Sequence, residues 1–366
     1  MTSSFYLRPT ALAESPQGED GEALRLAGGL TYASRFALLE RAGGRVIARE
    51  RYSLAELRAT LGDLPAAVQD QFANLQRSHA PLQCGERTVR LDQPQVMGIL
   101  NITPDSFSDG GQFMDDPDVA AAHAAVMLEA GAAIIDIGGE STRPGAAAVW
   151  EGDELKRVIP MIERLASSGA AISIDTRRPA VMEAALAAGA HIINDVSALR
   201  HDPRSLEFAA RSGVPVVLMH ASGDGEDLHA NSTYGDVVLD VFDWLAARRD
   251  AAIAAGIPRE KIVLDPGIGF GKSVADNLAL LNALRLFHAL GQPLLVGVSR
   301  KRMIGALSGE APAHQRLGGS IMLATKALEA GVQLLRVHDV PETVQALRVW
   351  RGLRDAALTD FSQLPG

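Results

Sequence analysis

The chain has 366 residues, 47% of them hydrophobic and 22% charged, enough to bury one large core with a small appendage. Its net charge of −9 argues against nucleic-acid and anionic-membrane partners, both of which need a basic surface. Cys84 is the single cysteine, which excludes an intrachain disulfide framework and a cysteine-based metal site. The N-terminus lacks a basic start followed by an apolar run, and no apolar stretch is long enough to span a bilayer, so the expectation is a cytoplasmic protein.

Residues 1–92 read as a small α/β extension and linker whose function is not legible. Within it, the runs 36–39 and 45–47 flank Gly43-Gly44 as the arms of a hairpin would. Ser53 and Glu56 stand three apart at the head of a short helix, as a capping box requires. Residues 79–93, with two prolines and mixed charge, read as a linker.

From Gln95 onward, short apolar runs alternate with longer helical patterns. The runs are 96–100, 132–138, 171–175, 191–196, 214–220, 262–265, 293–299 and 333–340, with amphipathic stretches such as 118–130, 152–167, 236–255 and 313–330 between them. Several helical patterns end in an Ala-Gly pair, at Gly131, Gly189, Gly256 and Gly331, the expected glycine stop. Eight such units over about 260 residues predict a (β/α)8 TIM barrel over 93–355, with 356–366 as a tail. A doubly wound open sheet more often has five or six strands.

Active sites of such barrels form at the C-terminal ends of the strands, and there the chain places a polar group on every run. Asn101, Asp136, Asp175, Asn194-Asp195, His220, Asp265, Ser299-Arg300-Lys301 and Arg336 with His338 stand at the eight ends. Asp136 and Asp195 also suit structural roles, bonding neighbouring backbone, and His220 that of a capping histidine. Arg336 and His338 are two apart, hence on one side of a strand, and two converging cations call for an anion such as a phosphate or pyrophosphate. Asp175, Asn194 and Asp265 offer acceptors that suit a guanidine-like heterocycle edge such as that of a pterin. The segment Gly267-Ile-Gly-Phe-Gly-Lys-Ser273 looks like a phosphate-binding P-loop, but Pro266 stands where the first glycine of that pattern belongs.

The first run opens into Met97-Gly-Ile-Leu-Asn-Ile-Thr-Pro-Asp-Ser-Phe-Ser-Asp-Gly-Gly111, a polar loop around one aromatic that has the character of a lid. The second carries Ala132-Ala-Ile-Ile-Asp-Ile-Gly-Gly-Glu-Ser-Thr-Arg-Pro-Gly145. With Ser173–Thr176, Ile193–Val196, Leu264–Lys272, Val298–Lys301 and Arg336–Asp339, these seven segments closely resemble dihydropteroate synthases, the pterin-binding transferases of folate synthesis, in order and spacing. The resemblance covers about residues 95–355 and leaves the extension unmatched.

The resemblance implies condensation of 6-hydroxymethyl-7,8-dihydropterin pyrophosphate with 4-aminobenzoate, giving 7,8-dihydropteroate and pyrophosphate, with Mg²⁺, in a homodimer of a kind that is a sulfonamide target. By the same analogy Asp175, Asn194, Asp265 and Lys301 hold the pterin. Asn101, Thr142, Arg336 and His338 bind the pyrophosphate, Asn101 also contacting Mg²⁺. Phe107, Arg143, Pro144, Phe270, Lys301 and Arg302 surround the aminobenzoate, and Asp109, Lys301, Arg336 and His338 carry the chemistry. Two departures fall on the second-substrate side: Met219-His-Ala-Ser-Gly223, where many relatives have Met-His-Met-Gln-Gly, and Arg302, where some carry serine. Two alternatives share the fold, a methyltetrahydrofolate–corrinoid methyltransferase and a non-catalytic pterin-binding subunit. The Thr-Arg-Pro loop and pyrophosphate cations argue against the first, and intact Asn101, Asp109, Lys301 and His338 against the second.

Overall fold

The computed structural model describes residues 3–13, 23–103, 117–142, 149–223, 227–230 and 233–358. The extension begins with β1 (Ser4–Ala13), β2 (Leu24–Arg25), β3 (Tyr32–Ala42) and β4 (Arg45–Ser53). β3 is the centre of this antiparallel sheet, paired to β1 on one side and to β2 and β4 on the other. The β3–β4 hairpin turns at Gly43-Gly44, as the sequence predicts. β4 is an edge strand whose Arg45, Arg49, Glu50 and Arg51 are exposed, a charged border that discourages further pairing.

Helix α1 (Leu54–Thr60) starts at the expected capping box, Ser53 accepting from the Glu56 N–H and Glu56 from the Ser53 N–H. Helix α2 (Ala66–Leu75) then lies over β1. There Gln71 accepts from the Leu7 N–H and donates to the Phe5 carbonyl, both at 2.7 Å, and so satisfies strand groups that would otherwise be buried unpaired. The segment read as a linker is instead a second hairpin, β5 (Leu82–Cys84) with β6 (Arg87–Val89).

The eight predicted runs form β7 (Gln95–Asn101), β8 (Ile134–Gly138), β9 (Ala171–Asp175), β10 (Ile192–Asp195), β11 (Val216–Met219), β12 (Ile262–Asp265), β13 (Leu295–Gly297) and β14 (Leu334–Val337). Between and after them lie α3 (Pro117–Ala130), α4 (Glu151–Ala166), α5 (Pro179–Ala187), α6 (Ser205–Ser212), α7 (Val237–Ala254), α8 (Val274–Asn282), α9 (Arg302–Leu307), α10 (Leu317–Glu329) and α11 (Val340–Leu358). The strands run parallel in the order β12-β11-β10-β9-β8-β7-β14-β13, and a bridge between Leu264 and Leu294 brings the two ends together. The fold is therefore a TIM-like barrel closed most weakly between β12 and β13. The four glycine stops all adopt positive φ, from 85° to 116°.

Side-chain alternation along the strands decides where the site lies. Met97, Ile134, Ala171, Ile192, Val217, Val263, Leu295 and Leu334, one from each strand, form a buried apolar floor inside the barrel. Leu82, Cys84 and Val89 of the β5–β6 hairpin, with Leu91 just after it, pack against that floor, so the segment plugs the foot of the barrel. Two residues further along, on the same inward face, stand Ile99, Asp136, Ser173, Asn194, Met219, Asp265, Gly297 and Arg336. Each strand thus passes from an apolar floor towards a polar mouth.

The extension docks on the outside of the barrel against α7 and the 3₁₀ turn Leu284–Leu290. Tyr6 meets Phe242 edge-on at 5.5 Å and donates to Asp243 at 2.7 Å. Arg41 pairs with Asp240 at 2.5 Å and Asp243 at 3.4 Å, and Asn74 donates to the Ala289 carbonyl at 3.0 Å. No helix among the described residues is long and apolar enough to cross a membrane.

Candidate active site at the rim of the barrel

Thr142, Asp175, Asn194, Val196, Met219, Asp265, Ile268, Phe270, Gly297, Lys301 and Arg336 line a cleft at the C-terminal ends of the strands. A roomier cleft lies beside Gln95, at the start of β7, lined by Gln93, Trp350, Arg348 and Arg351. It is away from the polar mouth, so size alone does not mark the site.

Arg336 organises one half of the cleft. Its Nε donates to Asp136 Oδ2 at 2.6 Å and its Nη2 to Asp175 Oδ2 at 2.7 Å, while Asn194 Nδ2 donates to the same Asp136 oxygen at 3.1 Å. Arg336 is thus held between two carboxylates, partners that its place in the sequence does not reveal. Asp136, completely buried, fixes both Arg336 and Asn194, which gives a structural purpose to a group the sequence left ambiguous. Burial pushes the Asp175 carboxyl up to about 7, although Arg336 draws it the other way. Burial opposes charge on Arg336 too, but Asp136 and Asp175 outweigh it and keep the guanidinium protonated.

Asp265, Lys301 and Phe270 form the other half. Asp265 Oδ1 accepts from the Gly267 N–H at 2.7 Å, and burial pushes its carboxyl up to about 6. Lys301 holds its Nζ 4.4 Å from the Phe270 ring centre, and burial pulls its ammonium down to about 8 despite Asp265. The Gly267–Lys272 loop is held in shape by Asn277, which accepts from the Gly269 N–H at 2.6 Å and donates to the Lys272 and Ser273 carbonyls. Lys272 donates to the carbonyls of Gly267, Phe270 and His220 at 2.8, 3.1 and 3.3 Å. Its ammonium fastens the loop, so the segment resembling a P-loop has a structural lysine where that motif has a phosphate-binding one.

At the mouth, Asn101 and Asp175 flank Gly138, where a Cβ would stand 3.3 Å from Asn101 Oδ1 and 3.7 Å from Asp175 Oδ2. Any side chain there would fill the gap between the two groups. His338, just beyond the end of β14, pairs its Nδ1 with Ser299 Oγ at 3.1 Å. Arg302 is not brought to the cleft: its guanidinium is largely exposed and pairs with Glu310 at 2.8 Å, because α9 turns it away from its neighbour Lys301. Phe107, Asp109, Arg143 and Pro144 lie outside the described residues.

His220 faces away from this chemistry, edge-on to Trp244 at 4.8 Å, and burial drives its imidazole down to about 2, so it is a neutral core residue. Asp195 accepts from the Ser197 N–H and hydroxyl at 2.7 Å and the Leu199 N–H at 3.0 Å, a purely local role. Sequence reading passed over Asn277 and His229, whose ring stacks on Phe270; neither is marked by a motif and only the tertiary approach reveals them. It also passed over the cluster in which Arg178 bonds Glu140, Glu154 and the Val149 carbonyl, joining residues on both sides of the second loop to the end of β9.

A parallel barrel with carboxylates, an amide and cations at its C-terminal mouth defines the class, and a family profile described as Pterin binding enzyme matches residues 97–338. The Escherichia coli (strain K12) dihydropteroate synthase is 49% identical over 260 residues, 71% of this chain and 91% of that protein. That of Neisseria meningitidis serogroup B is 48% identical over 276 residues, covering 74% and 96%. Among solved structures, Xanthomonas albilineans dihydropteroate synthase with 4-aminobenzoic acid superposes at a TM-score of 0.70 with 48% identity, covering 79% of this chain and all of that one. The same enzyme in complex with 7,8-dihydropteroate gives 0.67 and 46%, covering 78% and 100%. The chain belongs to the dihydropteroate synthase family.

Proposed function

We propose that this chain joins 6-hydroxymethyl-7,8-dihydropterin pyrophosphate to 4-aminobenzoate, releasing pyrophosphate. The observation that carries the reading is the cleft itself, in which Asp175, Asn194 and Asp265 supply acceptors and Lys301 lies over Phe270. The acceptors suit the amino and ring N–H donors of a pterin, and Arg336 keeps Asp175 in place for them. Thr142, Arg336, His338 and Asn101 face the pyrophosphate. Phe270 and Lys301 meet the arylamine, with Phe107, Arg143 and Pro144 completing that side, and a sulfonamide would compete there. Arg302 has no part in it.

In the reaction the C–O bond to pyrophosphate breaks, the aniline nitrogen forms a C–N bond to the exocyclic methylene, and the nitrogen then loses a proton. An aniline is neutral at pH 7, so no strong base is needed. The cations hold the departing charge, and Asp109 would stabilise the pterin methylene cation while the first loop excludes water. The Asn101 Oδ1, left uncovered because Gly138 beside it has no side chain, suits Mg²⁺, which takes few protein oxygens when a substrate phosphate supplies the rest. Held by Asn101 Oδ1, Mg²⁺ would neutralise part of the pyrophosphate charge. Residues 93–355 form the catalytic unit in this reading, acting as a homodimer in the cytoplasm. Mixing the protein with both substrates and Mg²⁺ tests it: dihydropteroate and pyrophosphate must appear one for one, and the absence of both products despite pterin binding would refute it.

A further inference from the structure

His229 lies on the connection between β11 and α7, and three contacts fix it. Its ring stacks on Phe270 with centroids 5.1 Å apart and planes inclined by 14°. Its Nε2 stands 2.7 Å from the Thr142 carbonyl, so that nitrogen carries the hydrogen. Its own N–H donates to Asp227 Oδ1 at 2.9 Å, and the adjacent Leu228 packs with Val196, Met219, Ala221 and Phe270. One imidazole therefore ties together the connections that follow β8, β11 and β12.

We propose that His229 is a positioning residue that sets the arylamine side of the cleft, holding the Phe270 ring at its angle and the foot of the second loop at its height. The proposal rests on Phe270 and Lys301 forming that side. Chemistry favours histidine for the task, because a flat ring and a directional N–H are needed in one side chain. Phenylalanine offers the ring without the donor, and glutamine the donor without the ring. The charged groups facing it are Lys301, Lys272 and Asp227; burial, with the two lysines, disfavours its charged form, and the Thr142 carbonyl places the hydrogen of the neutral ring on Nε2.

The test compares His229→Ala, His229→Gln and His229→Phe with the parent chain in steady-state kinetics, alongside calorimetry of 6-hydroxymethyl-7,8-dihydropterin, a pterin without the pyrophosphate that Thr142 faces. His229→Ala should raise KM for 4-aminobenzoate about tenfold, the scale of one hydrogen bond and one ring stack, with pterin affinity unchanged. Glutamine and phenylalanine should each restore part of the loss. An unchanged KM for 4-aminobenzoate in all three variants would overturn the proposal, as would a parallel loss of pterin affinity, which marks general damage. Phe270→Ala serves as the control. If it too leaves KM for 4-aminobenzoate unchanged, the arylamine side has been misplaced and both readings fall. If it raises KM while the His229 variants do not, the role of His229 alone is wrong.

Discussion

Replacing Asp175 by asparagine changes one oxygen to an NH₂ at nearly constant volume, in a side chain that is 9% exposed and bonded to Arg336 at 2.7 Å. Asparagine has one acceptor oxygen, and Arg336 Nη2 claims it, which turns the NH₂ towards the cleft. A pterin edge presenting two donors then meets a donor. Losing a charge-assisted bond and leaving the two donors opposed costs about 2–4 kcal/mol, or roughly 30- to 1000-fold in Kd. Calorimetry with the dihydropterin pyrophosphate measures this directly, and circular dichroism establishes that the variant is folded.

The same substitution has a signature without ligand. Burial raises the Asp175 carboxyl from 3.8 to about 7 in the folded chain, so the folded state binds the proton more tightly than the unfolded one. Its stabilising contribution is complete below the unfolded value and is lost as pH rises through the folded value. Stability should therefore fall as pH rises between about pH 4 and pH 7 in the parent chain, and Asp175→Asn should flatten that slope. A folded Asp175→Asn variant with parental pterin affinity and a parental stability profile would refute the reasoning.

Three further outcomes follow from the geometry. Because the Lys301 ammonium is drawn down to about 8, kcat/KM for 4-aminobenzoate should fall as pH rises through that value, and Lys301→Gln should abolish the step. Since the folded value lies below the ordinary 10.5, deprotonation relieves a buried charge and this group's own contribution to stability rises from about pH 8, so circular dichroism across the same range separates the falling rate from unfolding. Leu82→Ala, which truncates the plug beneath the barrel floor, should cost about 2–4 kcal/mol in denaturant unfolding with KM values unchanged; a cost under about 0.5 kcal/mol would show the hairpin to be dispensable. Arg41→Ala, which breaks the pairing of the extension with α7, should lower the thermal midpoint by about 2–5 °C, and a charge-swapped Arg41→Asp, Asp240→Arg pair should recover part of it.

The barrel was legible because its strands alternate against helices at the spacing the fold imposes, and because side chains two apart share a face. The strand-end residues Asp175, Asn194, Asp265 and Arg336 could be picked out by the same periodicity. Their partners could not. Arg336 meets Asp136 from 200 residues away and Asp175 from 161, a pairing that no local pattern encodes and that makes the guanidinium the brace of a carboxylate as well as a cation at the mouth. Residues 79–93 carry the prolines and mixed charge of a linker, yet barrel closure leaves an apolar floor that needs covering, and Leu82, Cys84, Val89 and Leu91 cover it. Lys272 looks like a phosphate ligand until the fold surrounds its ammonium with three carbonyls, and Arg302 looks like a substrate contact until α9 turns it outward. Sequence alone determined which residues reach the mouth of the barrel, because period and parity are local properties of the backbone. Which of them pair, brace one another or turn away was decided only by tertiary structure, because hydrogen bonds and desolvation act over a few ångströms between groups far apart in the chain.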